Sequence, residues 1–185
     1  MIRLILIALV AFVGIEAQAQ MTKTVSIENS VINWTGSKLT GKHTGTLHLS
    51  DGSLQFTDGK LTGGAFTIDM TSLASTDLEG GKADKLLGHL KSDDFFSVAT
   101  YPTAHLKITE VGMAEGAYAV TADLTIKGKT APVSFVANID PSGANADITV
   151  DRTVYDVRYG SDKFFDNLGN KAINDNFDLN VSLAF

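Results

Sequence analysis

His89, Asp93 and Asp94 come nearest to a catalytic set in this chain. They lie within HLKSDDFFSVATYP, which runs from His89 to Pro102. A histidine beside a carboxylate can work as a general base. The neighbouring sequence supplies no nucleophile, oxyanion hole or metal ligand to go with it. Each polar residue here also has an ordinary local task. His89 and Lys91 suit the C-terminal end of a helix, where a cation meets the negative dipole and free carbonyls. Ser92 suits an N-cap, and Asp93 and Asp94 suit the first turn of a short helix. Pro102 holds Tyr101 extended and launches a strand. Catalytic carboxylate pairs come from separate elements facing a cleft, and adjacent acids rarely converge.

Other candidates for chemistry are few. His43 and His48 are five apart, so on one strand they face opposite sides. His48 and His105 fall on the polar faces of their strands. None of the histidine spacings builds a metal site locally. Gly128-Lys129-Thr130 looks like the end of a phosphate loop, but Asp123 stands where that loop needs its first glycine, and the tripeptide joins two strands. The chain has no G-x-S-x-G elbow and no G-x-G-x-x-G fingerprint. It has no cysteine, which removes thiol nucleophiles, disulfides and Cys-based metal sites.

Two single residues stand out. Trp34, the only tryptophan, is in phase with Ile32, and a large aromatic of this kind can close one end of a barrel. Arg152 is in phase with Ile148, Val150 and Val154. An inward arginine must find a carboxylate, carbonyls or an anionic ligand group, because an unpaired buried charge is very costly. Its ordinary role is an ion pair with an acid not identifiable from sequence, or a phase change at a bulge. Its functional role would be contact with a ligand head group.

Residues 1–19 read as a secretory signal. Arg3 supplies the positive start, Leu4 to Ile15 the apolar run, and Ala17-Gln18-Ala19 the cleavage site. The run is too short for a stable bilayer anchor. Cleavage after Ala19 removes Arg3 and Glu16 together, so the mature chain keeps a net charge of −6. That acidic balance argues against a nucleic-acid partner, which needs a basic face. Residues 20–185 are long enough for one domain with a sizeable core.

Strand signals dominate that domain. Phe66, Ile68 and Met70 alternate with Thr67 and Asp69. Ala104 to Thr109, Tyr118 to Lys127 and Phe177 to Phe185 repeat the period of two. Turn residues lie between such runs, at Asp51-Gly52, Asp58-Gly59, Gly63-Gly64 and Pro141-Ser142-Gly143. The pattern predicts a mainly all-β chain, an antiparallel sandwich or barrel. Two segments break the rhythm. Ala83, Leu86, Leu87 and Leu90 fall on one helical face between 80 and 91. Near 161–168, Ser161 suits the cap of a helical turn with Phe164, Phe165 and Leu168 inward and Gly169 ending it.

Five stretches together resemble a known family. They are Trp34-x-Gly36-x-Lys38, Gly41-Lys42-His43-x-Gly45, HLKSDDFFSVATYP, DLTIKGKT from Asp123 to Thr130, and RTVYDVRYG from Arg152 to Gly160. They are similar to the YceI-like family of bacterial exported lipid-binding proteins, over about Thr22 to the C-terminus. Ser97 departs from the pattern, since relatives commonly carry an acid there. The resemblance implies a lipocalin-like antiparallel β-barrel of about eight strands, periplasmic or secreted. It implies a long apolar ligand, a polyisoprenoid, isoprenoid quinone or fatty-acyl-like lipid, that is carried and not turned over. No cofactor beyond that lipid is expected, the mature chain needs no membrane-spanning segment, and a homodimer is compatible with the reading.

On this reading the ligand-binding residues are the inward apolar ones. From the first half of the domain these are Ile32, Trp34, Leu47, Phe66, Ile68 and Met70. The helical segment and the run after it add Leu87, Phe95 and Phe96. Leu106, Ile108, Leu124, Phe135, Val150, Arg152, Phe177 and Leu179 complete the set. Two other readings compete. One is a barrel enzyme acting on a lipid-like substrate through His89 with Asp93 or Asp94, and with Arg152. The other is a barrel filled by its own side chains that acts through its surface.

Overall fold

The computed structural model describes residues 18–185. The proposed signal segment lies almost wholly outside the described residues. The strands are β1 (Gln20–Thr24), β2 (Val31–Lys38), β3 (Gly41–Thr57), β4 (Lys60–Ser75) and β5 (Thr103–Ala114), then β6 (Ala117–Ile126), β7 (Lys129–Ile139), β8 (Gly143–Asp151) and β9 (Ile173–Ala184). Every pairing is antiparallel. Strands β2 to β9 form a closed ring, because β3 pairs with both β2 and β4. This is the eight-stranded barrel expected, and not the sandwich.

Strand β1 is an addition to the ring. Strand β2 pairs with β3 only from Gly41 to Leu47. Strand β1 takes the same edge further along, with Gln20 opposite Thr57 and Thr24 opposite Ser53. A bend divides the two. There the Val25 N–H donates to the Gly52 carbonyl and the Ser26 N–H to that of Ala184.

Tight turns set the register of three hairpins. Asp58-Gly59, Glu115-Gly116 and Lys127-Gly128 each place two successive residues at positive φ. That conformation matches the right-handed twist of paired strands. The first two turns lie at one end of the barrel, here the hairpin end. The third lies at the opposite, helix end, with α1 (Gly80–Lys91) and the long β8–β9 connection.

Helix α1 lies where the apolar spacing places it, with Leu86, Leu87 and Leu90 packed against the core. Ser92 differs from expectation. Its hydroxyl and its N–H both donate to the His89 carbonyl, so it closes α1 and starts no new helix. Asp93 and Asp94 sit in a turn held by the Phe95 and Ser97 N–H groups donating to the Ser92 carbonyl. The segment at 161–168 makes one turn, in which the Ser161 carbonyl accepts from Phe164 and Phe165. Gly169 opens a 3-10 turn, Gly169–Lys171, where a helix end was expected. Phe164 and Phe165 are 43% and 48% exposed and do not face inward. Arg152, Tyr155, Val157 and Ser161 are the buried residues of this connection, and Phe164 instead packs under the Arg158 guanidinium.

Trp34 lies toward the helix end of the barrel, where it lines a cavity. It stands in the wall opposite Gly45, and its Nε1–H donates to the Ala74 carbonyl at 3.1 Å. A Cβ on Gly45 would lie 1.8 Å from the Ala74 carbonyl oxygen and 2.5 Å from the indole. Backbone and ring both block it, so Gly45 is required by close approach. Gly45→Ala is expected to destabilise the protein by about 3 kcal/mol in denaturant unfolding. Gly36→Ala, where a Cβ meets nothing within 4 Å, should cost less than about 1 kcal/mol.

Candidate binding cavity

Inward positions of the barrel strands enclose two adjoining cavities. One of about 100 Å³ lies toward the helix end. The other, of about 90 Å³, lies toward the hairpin end. Ile32, Ile68, Leu124 and Leu179 line both, so they form a belt where the chambers meet. The surface facing either chamber is apolar.

The belt residues are all among those expected from the sequence. Trp34, Leu47, Met70, Phe95, Phe96, Arg152 and Phe177 line the helix-end chamber. Phe66, Leu106, Ile108 and Phe135 line the hairpin-end chamber. Leu87 and Val150 line neither. Leu87 packs on the core from α1, and Leu90, one turn on, reaches the chamber instead. Val150 is sealed into the core at 2% exposure, while Ile148 contributes to the wall.

Sequence reasoning missed several wall residues. Leu49, Val120, Ile126 and Leu183 continue the alternation of residues already chosen and were legible from it. Leu54 was not. It lies five residues after Leu49, yet both are buried, because the β3–β4 register shifts between Leu49 and Asp51.

Phe95 stands at the helix-end wall within a row of rings. It meets Phe96 edge-on at 4.9 Å and His89 at 5.7 Å, and Phe96 meets Phe177 at 6.3 Å. His89 also packs against Tyr159 at 4.4 Å, and its Nε2 is buried without a hydrogen-bond partner among the described residues. Asp93 and Asp94 are exposed, and neither forms an ion pair with His89 among the described residues. Asp93 accepts from the Ser97 hydroxyl instead. The sequence neighbours suited to a general base are therefore not brought together. Elsewhere His43 Nδ1 meets the Asp77 carboxylate at 2.8 Å, and His48 and His105 are exposed. Among the described residues, no group of three His, Asp or Glu is placed to hold a metal ion.

Arg152 is inward, but not as a continuation of β8. That strand ends at Asp151, which accepts the Thr153 N–H and caps the 3-10 turn Arg152–Tyr155. Val154 leaves the apolar phase and is 50% exposed. Arg152 is 2% exposed, and its guanidinium donates to the carbonyls of Val157, Tyr159, Ile173 and Asn174. Asp175 is the acid left unnamed by the sequence, 3.6 Å from Nη2. It is in phase with Phe177 and Leu179 on β9, which was a usable signal. Lys163 bridges Asp175 and Asp151 at 3.5 and 2.7 Å.

Burial pulls the Arg152 pKa below the usual guanidinium value, and the Asp175 and Asp151 charges oppose that pull. Burial also pushes Asp151 up, but Lys163 and the Thr153 hydrogen bonds outweigh it and hold the carboxyl below its ordinary value. The Tyr155 hydroxyl is pushed up to about 12, mainly by burial and partly by Asp151. It therefore stays neutral.

The YceI-like domain model matches residues 24–185. The chain belongs to the YceI-like family. A UPF0312 protein of Photorhabdus laumondii is 34% identical over 99 residues, 54% of this chain and 50% of its own. A UPF0312 protein of Shewanella denitrificans is 33% identical over 89 residues, 48% of this chain and 44% of its own. The aligned part thus spans about half the length of these curated relatives. Among solved structures, Burkholderia cenocepacia BcnA superposes with a TM-score of 0.67 at 21% identity, covering 87% of this chain and 99% of that one. A polyisoprenoid binding domain from Saccharophagus degradans gives 0.56 at 17% identity, covering 90% and 97%. Both agree on the barrel fold. No described helix of this YceI-like chain is long and apolar enough to cross a membrane.

Replacing Arg152 with Met would leave the carbonyls and the Asp175 carboxylate without their donor. A loss of about 3–5 kcal/mol in denaturant unfolding is expected. Arg152→Lys should recover only part of it, because an ammonium cannot reproduce a planar five-donor fork.

Proposed function

We propose that this YceI-like protein is an exported carrier that holds a long apolar lipid, of polyisoprenoid, isoprenoid quinone or fatty-acyl type, inside its barrel. The observation that carries the reading is the pair of adjoining apolar chambers that share one belt. Binding of a polyisoprenoid by the Saccharophagus domain of the same fold supports it. The separation of His89 from Asp93 and Asp94 supports carriage over turnover. An apolar wall suffices energetically. Each buried CH₂ contributes about 0.8 kcal/mol, so a five-carbon isoprene unit gives roughly 3–4 kcal/mol before ordering costs. Phe95 and Phe96 are the residues proposed to touch the lipid at the helix end.

Denaturing extraction of the purified protein followed by mass spectrometry should release an isoprenoid or similar lipid. Repeated lipid-free preparations that also fail to take up added isoprenoid quinone would overturn the reading. Replacing Phe95 and Phe96 together with Ala should weaken lipid retention more than His89→Ala does, and the reverse ranking would favour an enzyme. Export has its own check. Intact mass of protein recovered from outside the cytoplasm should correspond to a chain starting at Gln20.

A further inference from the structure

We infer that the barrel selects uncharged lipids and rejects lipids with an anionic head, such as prenyl phosphates and fatty-acid anions. This rests on the carrier function proposed above and narrows its ligand class. An arginine at the wall of a lipid cavity would ordinarily suggest the opposite, a clamp for phosphate or carboxylate. The disposition of its protons decides the matter.

Among the described residues, Arg152 is the one cation that lines either chamber. A guanidinium carries five N–H donors. In Arg152, Nε donates to the Asn174 carbonyl at 3.0 Å. Nη1 donates to those of Val157 and Tyr159 at 2.8 and 2.9 Å. Nη2 donates to that of Ile173 at 2.9 Å, and its second proton has the Asp175 carboxylate 3.6 Å away. Four of the five are held by carbonyls, and the fifth faces the Asp175 carboxylate in an ion pair without a hydrogen bond. Redirecting any of the four would strip a buried carbonyl of its partner.

The charges around Arg152 are also balanced without a ligand. Asp175 faces it, and Asp175 Oδ1 is buried with no hydrogen-bond partner among the described residues, which adds negative potential at this end. Lys163 is engaged by Asp151 and Asp175, Arg158 by Asp156, and Lys91 by the Thr71 carbonyl. His89 stands behind Phe95 and does not line the chamber. The asparagines at the rims, Asn145, Asn174 and Asn176, are exposed and uncharged.

An anionic head drawn into this barrel would lose its water and meet a guanidinium already bonded to four carbonyls and balanced by Asp175, which is strongly unfavourable. Leaving the head in water at the rim keeps the first carbons of the tail outside and forfeits their burial. An alcohol, ester, quinone or hydrocarbon meets neither penalty.

The test uses the mature, delipidated protein loaded with an apolar fluorescent probe at neutral pH. The displacing ligands are two matched pairs, geranylgeraniol with geranylgeranyl phosphate, and methyl oleate with oleate. The uncharged member of each pair should displace the probe at least about tenfold more effectively than the charged one. A smaller gap in either pair, or a preference for the charged member, overturns the inference while leaving the carrier function standing. Displacement by none of the four overturns the carrier function, and the inference with it.

Discussion

Pairing of β3 with β4, from Gly45 opposite Ser75 to Thr57 opposite Lys60, joins the two ends of the sheet. A closed sheet of eight strands has no free edge, and every strand must send alternate side chains to the inside. That inside is cut off from water, so its residues must be apolar or fully bonded. With Leu, Ile, Val and Phe at most inward positions, the interior does not fill completely, and the two chambers remain. Close approach also follows from closure. Where Trp34 lies against the neighbouring strand, only a glycine fits, and Gly45 supplies it.

The connection from Arg152 to Ala172 is too long to be set by its flanking strands alone. Arg152 holds it. By donating to carbonyls at Val157 and Tyr159 on the connection, and at Ile173 and Asn174 on β9, one side chain ties the connection to the next strand. The same guanidinium lies over the Phe95 ring at 5.5 Å, so the wall of the helix-end chamber is braced by the same residue. Burying a charge is tolerated here because four of its five donors are bonded to carbonyls and Asp175 is close by. Arg152 is thus a scaffold residue at the cavity wall, and its commitment to carbonyls gives the chamber its apolar character.

Much of the barrel was legible because strand alternation and turn chemistry are local. The inward faces of β4, β5, β6 and β9 follow from parity, and α1 from its leucines. The misses at Leu54 and Val154 share a cause, which is that parity counts residues and takes no account of irregular backbone. The shift between Leu49 and Asp51 brings Leu54 inside against its count. The end of β8 at Asp151 turns Val154 outward. Leu87 and Val150 were correctly apolar and packed, but burial in a core and exposure to a cavity have the same sequence signature. Ser92, a sound cap by type, closes α1 when its hydroxyl reaches the His89 carbonyl.

HLKSDDFFSVATYP shows the division most clearly. Residue types and spacing by themselves determined a helix end, a polar turn and an aromatic pair, and with the rest of the chain they determined a mainly antiparallel β domain with one apolar side to each strand. Those are properties of neighbours in the chain. Only the tertiary structure decided that His89 is drawn between Tyr159 and Phe95, away from the acids beside it in sequence, and that Phe95 and Phe96 turn to the chamber. Only it supplied Asp175 and the carbonyls of β9 to Arg152. These partners are about twenty residues or more apart along the chain, and the pairing of β8 with β9, which sets Asp151 opposite Asn176, brings them within hydrogen-bond reach.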